Sequence, residues 1–301
     1  MEQILREKVK ELLKQKTIDL FIGYSISDPD KNTYKPFFIT DPRQVDKLTY
    51  NSYCFNNLAL YLTKDELKNR YKKIGLLCKG CDARAVITLC QENQIERDSV
   101  YIIAVTCNGV YRDNQHYEKI SKDNIADKCP GCKVTNPPAS IADEIIEDAI
   151  KDDKDNPVNM QSPISVWWEN FDKLPNETKW LYFKAEFDKC IKCYACRQVC
   201  PLCYCTICIA DQNLPRFFSK SSDASGNAAW NIVRAYHLTG RCIGCGECER
   251  VCPVRIPLMK INKRMSQAVK EFFDYEGGLD KEAPPALVTF KNDDDENLFH
   301  G

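Results

Sequence analysis

The sequence predicts a chain in two parts. The first is an α/β N-terminal domain with a mostly parallel sheet, and the second is an α-helical, loop-rich two-cluster ferredoxin-like domain. Three observations carry this expectation. Between residues 1 and 130, short apolar runs alternate with amphipathic segments, the strand–helix–strand rhythm of a parallel layer. Eighteen cysteines occur in 301 residues. One four-cysteine pattern is written twice: Cys190-x2-Cys193-x2-Cys196-x3-Cys200-Pro recurs as Cys242-x2-Cys245-x2-Cys248-x3-Cys252-Pro.

A chain of this length can bury two modest cores. Its 42 Lys and Arg balance 43 Asp and Glu, so no charge excess favours nucleic acid or an anionic membrane. No apolar run approaches the roughly 20 residues needed to cross a bilayer. The N-terminus, "MEQILREKVKELLKQK", reads as a charged amphipathic helix rather than a secretory signal, which points to the cytoplasm. Disulfide scaffolds belong to small secreted domains. These cysteines, in tight x2 spacings and without an export signal, are expected reduced and metal-bound.

The elements follow in order. The first helix spans about 2–15. "IDLFIGYS" and "YKPFFIT" read as strands, followed by a loop and by helices over Asn56 to Leu62 and Lys64 to Tyr71. "KIGLLCK" is a buried strand, "CDARAVITLCQEN" a helix and "SVYIIAVTC" a second buried strand. After Cys107 the chain turns polar and reaches "KCPGCKVTNPPAS", a short helix "IADEIIEDAI" and a linker "KDDKDNPVNMQSP". A helix over Ile164 to Asp188, rich in aromatic residues that read as core, leads into the cysteine cluster. The tail from Asp274 is acidic and apolar-poor, expected mobile or bound to a partner. The expected divisions are 1–160, 161–273 and 274–301.

Soft thiolates in x2 spacing wrap a loop around an iron–sulfur cube. In the two-cluster arrangement the cysteine before each proline ligates the other cluster. One cubane is then assigned Cys190, Cys193, Cys196 and Cys252, and the other Cys242, Cys245, Cys248 and Cys200. Gly244 and Gly246 allow close backbone approach. Structural zinc is the competing reading, but zinc sites pair two C-x2-C knuckles rather than two runs ending in Cys-Pro. A 41-residue insertion separates Cys200 from Cys242. It carries Cys203, Cys205 and Cys208, a polar loop and a helix, "AAWNIVRAYHLTG".

Among the remaining cysteines, Cys90 shares a helical face with Ala83, Val86 and Ile87, and Cys78 lies inside an apolar strand; both read as core. Cys81, in "KGCDARA", falls where a strand meets a helix, at the carboxyl edge of a parallel sheet where such folds place ligands. Free N–H groups there favour a thiolate or another anion, and Lys79, Gly80 and Arg84 of the same turn are the candidate cofactor-binding residues. Cys107 ends the next strand and should emerge near Cys81. Cys129 and Cys132 form a C-P-G-C knuckle, and Cys54 sits at a loop-to-helix junction.

The stretch "KIGLLCKGCDARAVITLCQENQIERDSVYIIAVTCNGVYR" resembles the core of the coenzyme F420 (deazaflavin) hydrogenase and dehydrogenase beta-subunit family. From "WLYFKAEFDKCIKCYACRQVCPLCYC" onward the chain resembles iron–sulfur partners found beside formate dehydrogenases, hydrogenases and heterodisulfide-reductase-like complexes. The resemblance implies larger catalytic redox subunits as partners. It also implies a flavin, FAD, for which the family uses a longer C-terminal region with no visible counterpart here. The G-x-G-x-x-G fingerprint is absent as well.

Setting aside Cys78 and Cys90 leaves eight cysteines beyond the ferredoxin set. Eight thiolates suit two further cubanes, or one cubane plus spares. Cys203, Cys205 and Cys208 are candidates for three corners of one, with a fourth ligand from the N-terminal domain. Cys81, Cys107, Cys129 and Cys132 are candidates for another, with Cys54 exchangeable for one of them. A zinc site at Cys129 and Cys132 with two neighbours is the alternative. His116, His237 and His300 have no ligand-like spacing.

With no Ser-His-Asp pattern, phosphate loop or paired carboxylates, the leading reading is an electron-transfer subunit of an anaerobic oxidoreductase, relaying single electrons through several [4Fe-4S] clusters. The alternative is a flavin-containing oxidoreductase that splits a two-electron donor into one-electron steps. A zinc scaffold is the third class.

Overall fold

A computed structural model of the protein describes residues 1–146, 156–217 and 219–286. The described strands form one five-stranded sheet in the order β2-β1-β3-β4-β5. Strand β1 (Leu20–Asp28) pairs antiparallel with β2 (Thr33–Ile39), and β1, β3 (Ile74–Cys78), β4 (Val100–Val105) and β5 (Glu144–Ile146) run parallel. The register sets Leu20 beside Ile74 and Cys78 beside Ala104. Every residue of β3 is buried, as expected for a strand covered on both faces.

Helix α1 (Glu2–Lys14) buries Leu5, Val9, Leu12 and Leu13, one apolar stripe at helical spacing. Arg6 fastens it by donating to the Leu48 carbonyl from Nε at 2.8 Å and Nη2 at 2.7 Å. Helix α2 (Asp65–Lys68) is a single turn. Helix α3 (Gly80–Gln91) is the crossover between β3 and β4.

The structure differs from the sequence reading at four places. Residues Leu58–Thr63 form a 3-10 turn rather than an α-helix. The Asn57 side chain caps it, and the Leu58 N–H is drawn to the Asp82 carboxylate at 2.6 Å. The segment expected as a helix from Ile141 instead supplies β5, because the open edge of β4 offers unpaired backbone to Glu144–Ile146. Residues 147–150 of that segment, and 151–155 of the expected linker, lie outside the described residues. The single aromatic helix is two, α4 (Pro163–Phe171) and α5 (Asn176–Asp188), separated at Pro175, which donates no helical hydrogen bond and restricts the residue before it.

The fourth difference is the tail. Its described part, to residue 286, packs on α3. Arg84 donates to the Gly277 carbonyl (2.7 and 3.1 Å) and pairs with Glu276, which also meets Lys133. Gln91 Nε2 donates to the Asp280 carbonyl at 2.8 Å and the Tyr275 hydroxyl donates back to Gln91. Residues 287–301 lie outside the described residues.

The C-terminal part is helical and loop-rich: α6 (Ala195–Gln198), α7 (Ala224–His237), α8 (Glu247–Arg250) and α9 (Leu258–Phe273) join short turns. Trp167, Trp168, Phe171, Tyr182, Phe183 and Phe187 stack as one aromatic group. Trp168 donates to the Lys260 carbonyl of α9 at 2.8 Å, and the Lys260 ammonium lies 3.8 Å from the Trp167 ring centre. Leu202, Leu238 and Ile243 join the core beneath the sheet, so the two parts share apolar surface.

Candidate metal centres

The repeated motif folds as a repeated shape. In the first loop Lys192 and Tyr194 adopt left-handed backbone, φ 51° and 57°; in the second, Gly244 and Gly246 do so at φ 72° and 70°. Two such residues let each loop curl so that three cysteines face inward, and the one-turn helices α6 and α8 follow. Glycine meets this need without strain, whereas the first repeat forces it on Lys and Tyr.

The fourth cysteine of the first repeat lies beside the second loop. Burial raises the Cys196 thiol pKa; Arg234 opposes this, and the charges of Cys190, Cys193 and Cys252 add to it. Cys252 of the second repeat is thus within electrostatic reach of Cys196. A small apolar pocket is lined by Cys200, Cys242, Cys245 and Cys248, with Ile243, Met259, Asn262 and Arg234 on its walls. The sulfurs accept hydrogen bonds: Ile256 N–H to Cys252 Sγ at 3.4 Å, and Asn262 Nδ2 to Cys248 Sγ at 3.6 Å. Such bonds stabilise thiolates and tune bound clusters.

A third group forms at the carboxyl edge of the sheet. Cys81 at the start of α3, Cys107 after β4, and Cys129 and Cys132 of the knuckle line one pocket of about 780 Å³, part of it open to solvent. The knuckle is pressed onto α3: a Cβ on Gly80 would fall 1.6 Å from the Val134 carbonyl oxygen. Val110 N–H donates to Cys129 Sγ at 3.4 Å, and burial pushes the Cys129 thiol up to about 11. Ile243, Gly244 and Cys245 line the same pocket, so it abuts the second ferredoxin loop. Lys128 crosses between them, with Nζ 3.4 Å from Glu247 Oε1 and from the Phe55 carbonyl.

These rings of thiols fit [4Fe-4S] clusters. Among the described residues no three His, Cys, Asp or Glu side chains converge as around a single ion. Two of the three groups line pockets instead, which a multi-atom cluster requires. On the wall of the second pocket the Arg234 Nε is buried and has no acceptor, the mark of a donor facing an absent anionic group.

Other candidates lie elsewhere. Cys54 is fully buried in the core near Asn51, outside the pocket, and its thiol is pushed up to about 12 by burial. Cys78 is buried and Cys90 packs partly against the core. Cys203, Cys205 and Cys208 line a neighbouring cleft, in which Cys203 lies against Cys200. The N-terminal residues reaching it are Thr63, Lys64, Asp65 and Glu66, not a cysteine. Lys79 and Gly80 border the third pocket, but the Lys79 ammonium turns into the core, to Asp82 at 3.0 Å, the Asn56 carbonyl at 2.9 Å and the Tyr24 hydroxyl. Arg84 is spent on the tail, as described. Arg84 lines the third pocket as well. His116 and His237 are exposed, and His300 lies outside the described residues. Sequence reasoning passed over Arg234 and Lys128, because no spacing rule marks a lone cation that will lie between metal sites.

The site defines a class first. The 4Fe-4S dicluster domain family matches residues 186–256, so the C-terminal part carries a 4Fe-4S dicluster domain. The chain is also similar over most of its length to F420-dependent formate dehydrogenase beta subunits. It is 24% identical to the beta subunit of Methanocaldococcus jannaschii, over 92% of this chain and 91% of that one. It is 26% identical to the formate dehydrogenase 1 beta subunit of Methanococcus maripaludis, over 84% of each. A chain of the F420-reducing [NiFe] hydrogenase complex from Methanosarcina barkeri matches 36% of this chain and 38% of its own length, at 16% identity and a TM-score of 0.31. Among the described residues no helix is long and apolar enough to cross a membrane.

Proposed function

We propose that the protein is the iron–sulfur electron-transfer subunit of a cytoplasmic oxidoreductase complex, carrying electrons to or from a larger catalytic subunit. The observation that carries this reading is the succession of three thiol groups. Cys193 of the first and Cys132 of the third are exposed, while none of the four cysteines of the second is. A relay needs an entry and an exit at the surface and a protected middle. Bound clusters would supply one-electron chemistry at all three. The chain's own residues hold the thiolates, donate to their sulfurs and exclude water from the middle site. Similarity to beta subunits of formate dehydrogenase supports membership in a complex. The residues assigned are Cys190, Cys193, Cys196 and Cys252; Cys200, Cys242, Cys245 and Cys248; and Cys81, Cys107, Cys129 and Cys132.

Iron analysis of anaerobically purified protein tests the reading. About 12 iron atoms per chain are expected from three cubanes. A value near eight would confine clusters to the ferredoxin loops and remove the third site. About 16 would require a fourth cluster at Cys203, Cys205 and Cys208 with a non-cysteine corner. A yellow flavin released on denaturation, in a chain that reduces a soluble substrate alone, would replace the subunit reading with the flavoenzyme one.

A further inference from the structure

The 41-residue insertion does more than lengthen the ferredoxin module. Helix α7 lies along the first cysteine loop and grips it at successive turns. Asn227 Nδ2 donates to the Cys190 carbonyl at 2.7 Å, Trp230 packs edge-on against Tyr194 at 4.8 Å, and Arg234 Nη2 donates to the Cys196 carbonyl at 3.0 Å. Asn227, Trp230, Asn231 and Arg234 share the buried face of the helix.

Arg234 is the unusual member. Its side chain is buried at 3% exposure, and among the described residues no carboxylate pairs with it. Nε has no acceptor. The guanidinium touches the first loop through Cys196 and lines the pocket of Cys200, Cys242, Cys245 and Cys248. It also borders the cleft of Cys203, Cys205 and Cys208. An unpaired buried cation is strongly unfavourable in a protein interior. It becomes favourable only where anionic sulfur gathers on either side, and two thiolate-ligated clusters supply that charge.

We propose that Arg234 is a positioning residue for electron transfer: a fixed positive charge between the two ferredoxin clusters that raises the reduction potential of both. The inference rests on those two clusters, and iron content reads their presence separately from their potentials. Gaining an electron makes a cluster more negative, so a nearby fixed cation favours the reduced state. On this view the insertion delivers that charge to the space between the two loops.

The experiment is a redox titration of the whole protein followed by electron paramagnetic resonance, on wild type, Arg234→Gln and Arg234→Lys, each with iron counted. Arg234→Gln is expected to keep its iron and to need at least a tenfold higher reduced-to-oxidised driving ratio, a downward shift of about 59 mV for a one-electron couple. Arg234→Lys keeps the charge and is expected to restore most of that shift. If Arg234→Gln cannot hold its clusters but Arg234→Lys does, with potentials near wild type, charge is again the deciding property. Full iron with unchanged potentials in Arg234→Gln would overturn the proposal. So would equal shifts in Gln and Lys, or loss of iron in both, which would assign Arg234 to holding the Cys196 carbonyl.

Discussion

Asp82→Ala is expected to be among the most destabilising single changes in the N-terminal part. The Asp82 carboxylate is fully buried and accepts from Leu58 N–H at 2.6 Å, Lys79 N–H at 3.0 Å and the Lys79 ammonium at 3.0 Å. It thereby joins the start of α3, the loop after β3 and the 3-10 turn at Leu58. Its loss would leave the Lys79 ammonium, 1% exposed, without its counter-charge. Breaking one partner of a buried pair costs about 3–5 kcal/mol. The unsatisfied N–H groups fall within that figure, because such effects do not add among neighbours. With a urea dependence of about 3 kcal/mol per molar, the unfolding midpoint should fall by about 1 M or more. The assay is anaerobic urea unfolding of the iron-loaded protein followed by far-ultraviolet circular dichroism. Replacing both partners, Lys79→Met with Asp82→Leu, should cost less than Asp82→Ala, since no buried charge is then left alone. Burial works to lower the Lys79 pKa, but the charge of Asp82 outweighs it and the value stands above the ordinary lysine range. A raised lysine value means the contribution is complete below the unfolded value of about 10.4 and is lost only above it. In wild type that contribution should therefore be the same at pH 7 and pH 9. A midpoint shift below about 0.3 M, roughly 1 kcal/mol, would refute the account of Asp82 as the keystone of this junction.

Cys200→Ala should remove about four iron atoms per chain and bleach the cluster of Cys242, Cys245 and Cys248 first; loss confined to the Cys190 cluster would show that the loops do not interleave. Gly80→Ala should displace the 129–134 knuckle, because the new methyl meets the Val134 carbonyl. Iron at the third site should then fall while both ferredoxin signals persist, read by iron count and paramagnetic resonance. Glu276 is partly raised by burial, but Lys133 and Arg84 outweigh this and hold its pKa below the ordinary glutamate value. A depressed carboxyl stabilises above the unfolded value and loses that contribution as pH falls through the folded one. Docking of residues 274–286 should therefore weaken only below about pH 4.3, and Glu276→Gln should weaken it at pH 7. Hydrogen exchange of that segment checks both.

The sequence by itself determined what is encoded locally or by repetition. The apolar runs of β3 and β4 with the helix between them required a parallel layer, since a right-handed crossover is how such runs pack. The doubled cysteine pattern pointed to two ferredoxin loops, and the fold sets Cys200 of the first beside Cys242, Cys245 and Cys248 of the second. The strand-end position of Cys81 and Cys107 was likewise legible, as strand polarity fixes which edge they reach. Only the tertiary structure decided the rest. It gave residues 144–146 to the open edge of β4, where a neighbouring strand's unpaired backbone outweighs intrinsic helix preference. It placed Cys54 in the core and set Cys203, Cys205 and Cys208 in a cleft without a fourth cysteine, although their spacing looks like that of ligands. It turned Lys79 inward and Arg84 onto the tail. It also brought Arg234, 38 residues from Cys196 in sequence, against the Cys196 carbonyl and onto the wall of the pocket of Cys200, Cys242, Cys245 and Cys248. A local pattern reports which thiols can share a loop. Which charge lies between two loops depends on long-range packing of a helix whose own pattern specifies only a buried face.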